Sequence, residues 1–391
     1  MKPDDRNEII DIEITDDNRV VINHGEKEVR LHPSMPKWLV RAYVRLSFET
    51  KNGLRKFVLS LTDNCNIKCD YCCHPRLQSK FDIGDALRLV DEACECSTFG
   101  EVCLTGGEPF LHFDALLEIG CLCRRHDMLC GAITNGYWAK DPVSARTMCE
   151  EILGAGVGRI TFSWDPSHGQ YVSAGTVMNG LTAAMEAGLK VNLTGSFASE
   201  KDSHEDFGFD LEPLRRYANF AHSTNRILPA GRGQSHPQAH RRRESNDSTS
   251  ALLCPGYHRG HDLVLYPLDG LALPCCSVFS GYKLTPLRLG DWREDSVRDL
   301  ADTQMADGFY RYINREGFKP LRDHLREKGI EIPGLSEMLT EAVSPCEVCT
   351  LVAQSSEFDG VREICDVWLE QRVLQSLKDI RPALTRCFES A

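Results

Sequence analysis

Three cysteines stand close together after an apolar run near residue 60. Cys65, Cys69 and Cys72 are separated by three and then by two residues. Thiols in one loop can converge on a single metal centre, and cysteine thiolates are the usual ligands of iron–sulfur clusters. Three thiolates leave one iron of a four-iron cube open, as a reactive centre requires. A zinc site is the alternative, and Cys73 or His74 could supply its fourth ligand.

A second motif follows the next predicted strand. Thr105 is followed there by Gly106, Gly107, Glu108 and a proline. Two glycines let the backbone approach a ligand more closely than side chains would permit, and the Glu108 carboxylate can accept a hydrogen bond from a ligand ammonium group. A Gly-Gly-Glu triplet alone is a weak signal. Its position one strand–helix unit after the cysteine loop makes it a strong one, and a zinc site would not explain it.

The cysteine loop and the Gly-Gly-Glu turn together resemble the motifs of radical S-adenosylmethionine (radical SAM) enzymes, over about residues 56–233. The resemblance implies a 4Fe–4S cluster whose open iron binds the amino and carboxylate groups of SAM. It also implies that the glycine-rich turn binds the methionine amino group and that an aromatic residue lies against the adenine. The residues in these roles are Cys65, Cys69 and Cys72 for the cluster, Gly106, Gly107 and Glu108 for the amino group, and Tyr71 for the adenine.

Polar residues also follow the third and fourth predicted strands. Thr134 and Asn135 end the third, and Ser163 and Asp165 end the fourth. By resemblance these positions contact the SAM carboxylate and ribose. Capping of the helix that follows is the alternative for the threonine, the serine and the aspartate. Residues 228–233 resemble a family segment near the adenine.

The resemblance implies a reductive mechanism. An electron of low potential reaches SAM through the cluster, SAM splits into methionine and a 5′-deoxyadenosyl radical, and the radical removes a hydrogen atom from the substrate. The protein positions the substrate carbon and excludes water. The implied partner is a low-potential electron donor such as flavodoxin or ferredoxin.

A second set of cysteines lies in the C-terminal third. Fifteen residues, Gly270 and four further residues separate Cys254 from Cys275, and Cys346 and Cys349 form a CxxC pair. Two such pairs make a four-thiolate site suited to zinc or to a closed iron–sulfur cluster. The arrangement is similar to the SPASM and shorter "twitch" extensions of radical SAM enzymes, which hold auxiliary clusters. A full SPASM extension has more cysteines after the CxxC pair. This chain offers only Cys365 there, so one auxiliary 4Fe–4S cluster is expected, with Cys276 and Cys365 as reserve ligands.

Three further residues are candidates for catalysis. Cys73 and Cys276 each adjoin a predicted ligand and could donate a hydrogen atom to a substrate radical; a buried thiol is the alternative. His168 is a candidate acid or base at the barrel mouth, and a loop histidine that only hydrogen-bonds its neighbours is the alternative.

The elements that must position these residues follow a regular alternation. Short apolar runs are separated by amphipathic stretches, which is typical of βαβ units on a parallel sheet. The predicted strands are Phe57–Leu61, Glu101–Leu104, Met128–Ile133, Arg159–Phe162, Lys190–Leu193 and Arg226–Pro229, and the clearest predicted helices are Asp85–Ala93, Phe113–Arg124 and Val177–Ala187. The sequence therefore predicts an α/β fold with a parallel (β/α)6 partial barrel, or an open sheet, that carries its chemistry at the carboxyl ends of the strands.

Shorter segments flank this core. A β-rich preface (1–55) has two strands around residues 16–18 and helical spacing from Pro36. After the barrel (56–233) comes a basic linker (234–253). A small Cys-rich α+β extension (254–391) then carries a hairpin around Asp269 and Gly270, helices near 295–328 and a last helix over Val361–Leu377.

Composition and charge limit the partners and the cellular location that the sequence allows. The chain has 391 residues, 18 cysteines and a net charge of −12. A nucleic-acid partner is disfavoured because such binders carry a positive excess. The start has no secretory signal, and no apolar run is long enough to span a membrane, so a cytoplasmic location is expected, where cysteines serve as metal ligands or buried thiols.

Two classes of function follow. The first is a radical SAM oxidoreductase that oxidises, cross-links or epimerises a ribosomally made peptide in natural-product biosynthesis; a radical SAM dehydrogenase or epimerase acting on a sugar or aminocyclitol in an antibiotic pathway is the alternative. The second class is a zinc or iron–sulfur protein without enzymatic activity, whose metal would have only a structural role.

Overall fold

The computed structural model describes residues 9–14, 20–24, 27–30, 55–74, 78–199, 201–228, 231–236, 251–254, 262–275, 285–340 and 344–389, with backbone alone for 9–30 and 377–389. In chain order the strands are β1 (Ile9–Ile14), β2 (Val20–His24), β3 (Lys27–Arg30), β4 (Arg55–Thr62), β5 (Phe99–Gly106), β6 (Leu129–Thr134), β7 (Val157–Ser163), β8 (Lys190–Phe197), β9 (Phe220–Arg226), β10 (Leu263–Leu265), β11 (Leu271–Leu273) and β12 (Gly290–Asp291). The helices are α1 (Ile83–Glu95), α2 (Phe113–Arg125), α3 (Pro142–Ala155), α4 (Pro166–Gly169), α5 (Ala174–Ala187), α6 (Val297–Met305), α7 (Gly308–Arg315), α8 (Phe318–Glu327), α9 (Leu335–Thr340), α10 (Pro345–Ala353) and α11 (Phe358–Glu389).

The centre of the fold is a nine-stranded sheet with the order β12-β11-β10-β4-β5-β6-β7-β8-β9. Strands β4 to β9 run parallel in sequence order. Within the described residues β4 and β9 do not pair with each other, so these six strands do not close into a complete barrel. The predicted parallel (β/α)6 partial barrel is confirmed.

Helix spacing explains how the sheet is covered. The buried residues of α1 are Ala86, Leu89, Val90 and Ala93, which fall on one face at intervals of three and four residues. The Asp82 side chain accepts a hydrogen bond from the Gly84 amide and begins this helix. The helices therefore hold each strand end, and each following loop, in a fixed place.

The sixth predicted strand is wrong in its bounds. β9 spans Phe220–Arg226, so the predicted run, which starts at Arg226, begins where the strand ends. None of the seven β9 residues is fully buried, because β9 is the last strand of the sheet. It therefore carries no apolar run to mark it in the sequence, whereas Ile227 just beyond it is buried and does.

The C-terminal extension joins the barrel sheet directly. Strands β10 and β11 form the antiparallel hairpin expected around Asp269 and Gly270, and β10 also pairs in parallel with β4. Arg88 on α1 donates a hydrogen bond to the Trp292 carbonyl (3.1 Å), and Glu92 accepts one from the Val297 amide (2.9 Å). The first barrel helix is thus shared between the barrel and the extension.

A second apolar core lies among α7, α8, α9, α10 and α11. Phe309, Phe318 and Phe358 meet at its centre, with ring centroids of Phe309 and Phe358 5.2 Å apart. This core gives the extension a rigid frame of its own. The helices expected near 295–328 are confirmed as α6, α7 and α8, and the expected last helix is confirmed with wider bounds as α11.

The N-terminal preface forms a separate three-stranded antiparallel sheet, β1-β2-β3. Two of its strands were expected, and β3 was not. The helical segment expected from Pro36 and the predicted linker, apart from residues 234–236 and 251–253, lie outside the described residues. In the described part of the chain, no helix combines the length and the apolar character needed to cross a bilayer.

Candidate radical site

The cysteine loop leaves the carboxyl end of β4 and is fastened directly to the Gly-Gly-Glu turn at the end of β5. The Gly107 amide donates a hydrogen bond to the Thr62 carbonyl (2.6 Å), and the Glu108 amide donates one to the Asn64 carbonyl (2.8 Å). Cys65 follows at once. The two motifs that the sequence places about 40 residues apart are therefore in backbone contact.

The two glycines permit this contact. A Cβ atom on Gly107 would lie 2.0 Å from the Asn64 carbonyl oxygen, and one on Gly106 would lie 2.3 Å from the Thr62 carbonyl oxygen. Gly106 also has a φ of +127°, which residues with side chains rarely adopt. Glycine is thus required by the cysteine loop itself, in addition to any ligand that approaches the turn.

Glu108 links the turn to the next strand end. Its carboxylate is buried and accepts hydrogen bonds from the Phe110 amide (3.1 Å), the Thr134 hydroxyl (2.9 Å) and the Asn135 amide (2.8 Å). Burial raises the pKa of Glu108 to about 7 although these three donors lower it. The carboxylate therefore connects the ends of β5 and β6 through hydrogen bonds.

The Thr134 hydroxyl uses its full hydrogen-bonding capacity in this connection. It donates to Glu108 and accepts from the Gly136 amide (3.0 Å) and the Trp138 indole (3.1 Å). A hydroxyl has one proton to donate and two lone pairs, so this arrangement leaves it none for a ligand. Its hydrogen bonds therefore position the strand end, and its contact with SAM stays a prediction.

Asn135 and Arg232 hold the loop from two sides. The Asn135 side chain donates to Asn66 (2.8 Å) and lies 4.0 Å from the Cys65 sulfur. Arg232, in the segment after β9, donates from its side chain to the Cys69 carbonyl (2.9 Å) and from its amide to the Cys72 carbonyl (3.1 Å). The sequence placed Arg232 only within a segment near the adenine and gave Asn66 no role, because neither residue type is distinctive in a loop.

These residues line a cavity of about 630 Å³, which includes its opening to solvent. It is bounded by the end of β4, the Gly-Gly-Glu turn and the ends of β6 and β7. Of the residues predicted for the site, it brings together Cys65, Cys69, Cys72, Gly106, Gly107, Glu108, Thr134, Asn135, Ser163 and His168. Cys73 is described but does not line this cavity, and Cys276 lies outside the described residues.

Tyr71, Asp165 and His168 form one hydrogen-bonded group beside the loop. The Tyr71 hydroxyl donates to Asp165, and the His168 ring nitrogen lies 2.9 Å from the same carboxylate. Asp165 also accepts from the Ser167 and His168 amides and so caps α4, as the alternative interpretation expected.

Burial alone would lower the pKa of His168, but hydrogen bonds with Asp165 and Cys69 raise it to about 10. A histidine held in this way is a hydrogen-bond donor to its neighbours. Its ring also lines the cavity, so its role as an acid or base stays a prediction.

The three loop thiols share the cavity without converging on one point. Among the described residues, no three His, Cys, Asp or Glu side chains come close enough together to hold a single metal ion. In a four-iron cube each thiolate binds a different iron, so wider spacing suits such a cluster. Burial raises the pKa of Cys65 to about 11, and the negative charges of Glu108 and the other two cysteines raise it as well. Thiolates at this position need positive charge beside them, which iron supplies.

Comparison with known proteins agrees with this geometry. Residues 59–207, from β4 to just beyond β8, match the sequence model of the Radical SAM superfamily. The chain contains a radical SAM domain. Its motifs are the cysteine loop and the Gly-Gly-Glu turn described above, and the superfamily implies a 4Fe–4S cluster and SAM as cofactors.

Two curated proteins illustrate how far sequence similarity extends. YydG of Bacillus subtilis (strain 168), a protein named for peptide biosynthesis, is 23% identical over 314 residues, which cover 76% of this chain and 92% of that protein. The GTP 3′,8-cyclase of Synechococcus sp. (strain CC9902) is 34% identical over 142 residues, which cover 35% of this chain and only 39% of the cyclase. Similarity to YydG thus reaches beyond the radical SAM domain.

Solved structures of two proteins are also similar. The native anSMEcpe structure with bound AdoMet and Cp18Cys peptide has a TM-score of 0.45 and 13% identity, covering 82% of this chain and 99% of that one. Streptococcus suis SuiB bound to precursor peptide SuiA has a TM-score of 0.41 and 16% identity, covering 67% of each chain.

Beyond the radical SAM domain, the second set of cysteines is also gathered in space. Cys349 interacts electrostatically with Cys254 and Cys346, and the hydroxyl of Tyr310 interacts with Cys275, Cys349 and Cys254. No disulfide bond joins the cysteines among the described residues. The four predicted auxiliary ligands thus share one neighbourhood, whereas the reserve residue Cys365 is buried in the second apolar core.

Hydrogen bonds hold the backbone at or beside three of these cysteines. The Cys254 amide donates to the Ile313 carbonyl on α7 (3.1 Å). The side chain of Gln304 on α6 donates to the carbonyl of Pro274, which precedes Cys275 (2.6 Å). Cys346 lies in the first turn of α10, where a capping box of Ser344 and Glu347 begins the helix. The positive end of a helix dipole favours a thiolate there.

Proposed function

We propose that this radical SAM enzyme binds a 4Fe–4S cluster through Cys65, Cys69 and Cys72 and abstracts hydrogen from a peptide substrate. When bound, the cluster and SAM supply a 5′-deoxyadenosyl radical after one electron has been added. The observation that carries the proposal is the backbone contact between the cysteine loop and the Gly-Gly-Glu turn at one cavity. That contact places three thiols beside a turn that can receive an amino acid ammonium group.

The residues around the cavity divide this work. Gly106 and Gly107 line the cavity, and their backbone carbonyl oxygens can accept from the methionine ammonium group because the glycines add no side chains there. Tyr71 offers its ring to the adenine, and its bond to Asp165 fixes the orientation of that ring. Asn135 and Ser163 are the polar side chains at the cavity wall that can reach the carboxylate and the ribose.

A peptide is the substrate class that the comparisons favour. YydG is named for peptide biosynthesis, and this chain covers 92% of it. Oxidation, cross-linking and epimerisation of a ribosomally made peptide all begin with removal of a hydrogen atom from an unactivated carbon. We propose flavodoxin or ferredoxin as the class of electron donor.

The test of this function uses reconstituted protein under anaerobic conditions with SAM, a reductant and either a candidate precursor peptide or an aminocyclitol. We expect 5′-deoxyadenosine to form and the peptide to lose two mass units on oxidation, or to gain one in heavy water on epimerisation. A mass change in the aminocyclitol alone would contradict the peptide assignment. Absence of 5′-deoxyadenosine with every substrate would contradict the radical mechanism.

We also propose that Cys254, Cys275, Cys346 and Cys349 hold one auxiliary 4Fe–4S cluster in an extension formed by residues 254–391. Four thiols in one neighbourhood, with no disulfide bond and with one of them at a helix N-terminus, support this. Such a cluster can take up the electron that remains on the substrate after hydrogen abstraction. This would suit an oxidation.

Iron and sulfide counts test the auxiliary site. The double variant Cys346→Ala, Cys349→Ala is expected to lose one cluster's worth of iron and sulfide. The matched control is Cys149→Ala, which removes a buried thiol from α3 far from both sets of predicted ligands in the sequence. An iron count in the double variant equal to that of the control would contradict the auxiliary cluster.

A further inference from the structure

Tyr310 buries a hydroxyl that nothing in the described structure satisfies. The residue lies on α7 and is 2% exposed, and its hydroxyl oxygen has no hydrogen-bond partner among the described residues. A buried hydroxyl without a partner destabilises the folded state. Buried polar groups of this kind are rare, and an unrecorded ion or ligand is one of the usual reasons for them.

The surroundings of this hydroxyl narrow the choice of acceptor. The titratable groups that interact with it electrostatically are the thiols of Cys275, Cys349 and Cys254, together with Asp307. The Asp307 side chain is already engaged: it caps α7 by accepting from the Tyr310 amide (2.9 Å) and lies 3.5 Å from Arg362. Of these four groups, the three cysteine sulfurs therefore remain as acceptors for the hydroxyl.

Neighbouring contacts hold Tyr310 against the cysteines. Cys254 is hydrogen-bonded to Ile313 on the same helix, and the side chains of Cys254 and Cys349 pack on the apolar core that contains Tyr310. A phenol with its ordinary pKa of about 10 carries its proton at neutral pH. The Tyr310 hydroxyl is therefore available as a hydrogen-bond donor.

We propose that the Tyr310 hydroxyl donates a hydrogen bond to a sulfur of the auxiliary cluster and thereby raises the reduction potential of that cluster. The inference rests on the proposed auxiliary site. Reduction adds negative charge to the cluster sulfurs, and a hydrogen bond to them stabilises the reduced form. Tyr310 is thus a residue that tunes how readily this cluster accepts an electron from the substrate.

The experiment compares Tyr310→Phe with Tyr312→Phe in the full-length holoprotein. Tyr312 lies two residues along the same helix and directs its hydroxyl to His324 (3.4 Å), so its variant is the matched control. Iron counts, potentiometric titration followed by electron paramagnetic resonance (EPR), and electron–nuclear double resonance (ENDOR) in H₂O and D₂O are recorded for both variants and for wild type.

We expect both variants to keep wild-type iron and Tyr310→Phe alone to be harder to reduce at the auxiliary cluster. The expected shift is at least threefold in the reduction equilibrium, about 28 mV at 59 mV per tenfold change for one electron. The ENDOR signal of an exchangeable proton at this cluster should be present in wild type and in Tyr312→Phe, and absent from Tyr310→Phe.

The possible failures are distinguishable. An unchanged potential and proton signal in Tyr310→Phe, with both clusters present, overturns the role of Tyr310 alone. If the wild-type protein binds no more iron than the Cys346→Ala, Cys349→Ala variant does, the auxiliary site is wrong, and this inference is wrong with it. If Tyr310→Phe loses the auxiliary iron, the ENDOR spectrum of the wild-type protein decides. An exchangeable proton at the auxiliary cluster supports the hydrogen bond, and the absence of such a proton contradicts it.

Discussion

Substitution of Gly107 by alanine tests whether the glycine-rich turn positions the cysteine loop. The φ angle of Gly107 is one that alanine can adopt, so the effect is purely steric. The new Cβ would lie 2.0 Å from the Asn64 carbonyl oxygen, whereas real Cβ atoms essentially never come within 3.0 Å of another atom. The turn or the loop must therefore move by about 1 Å. A displacement of this size at a reacting centre costs on the order of 100-fold in rate, and overpacking of backbone costs about 1–3 kcal/mol of stability.

The assay is anaerobic release of 5′-deoxyadenosine from SAM, together with the thermal unfolding midpoint. We expect Gly107→Ala to lower the rate by about 100-fold or more and to lower the midpoint. The control is Gly154→Ala on the exposed side of α3, where an added Cβ meets nothing within 4 Å. That change should leave the rate unaltered and stabilise the helix by about 1 kcal/mol at most. A Gly107→Ala protein as active and as stable as the control would refute the steric reasoning.

Three further predictions concern this cavity and the cysteine loop beside it. Burial raises the pKa of Glu108 from 4.5 to about 7, so its contribution to stability is greatest below pH 4.5 and is lost as the pH rises through 7. Urea unfolding should show wild type losing about 3 kcal/mol relative to Glu108→Gln between pH 4.5 and 8, and parallel curves would contradict this. Arg232→Ala removes the side-chain hydrogen bond to the Cys69 carbonyl and should slow 5′-deoxyadenosine release about tenfold with iron retained. The control Arg215→Ala removes an exposed ion pair and should change neither the rate nor the iron content. Equal rates in the two variants would contradict the role of the hydrogen bond. Tyr71→Ala should weaken SAM binding by about 10-fold or more because ring stacking is lost, whereas Tyr71→Phe should bind SAM almost as wild type does. Equal SAM affinity of both variants in calorimetry would contradict a contact between the ring and the adenine.

Much of the barrel could be predicted from sequence because apolar residues mark its central strands. β4, for example, has one half-buried residue and seven buried ones, and Phe57, Val58, Leu59 and Leu61 form the apolar run within it. β9 lies at the sheet edge with no buried residue, so prediction from apolar runs misplaced this strand. The pairing of β10 with β4 could not be predicted either, since two short strands separated by some 200 residues carry no local signal of their partnership.

The candidate site divides in the same way. Cysteine spacing and the Gly-Gly-Glu triplet are local patterns, so the sequence alone identified them. The hydrogen bond from Thr134 to Glu108 and that from Arg232 to the loop depend on how distant strand ends meet. The unpartnered hydroxyl of Tyr310 is invisible in the sequence, because a tyrosine on a helix next to a phenylalanine reads as an ordinary core residue.

The most direct measurement of the central claim is the EPR spectrum of the reduced Cys346→Ala, Cys349→Ala variant with and without SAM. In this variant only the cluster of the three loop cysteines should remain. We predict that SAM changes the spectrum and that a further Cys69→Ala substitution abolishes the signal. A signal that is indifferent to SAM, or that survives the loss of Cys69, would contradict a cluster with an iron open to SAM at this loop.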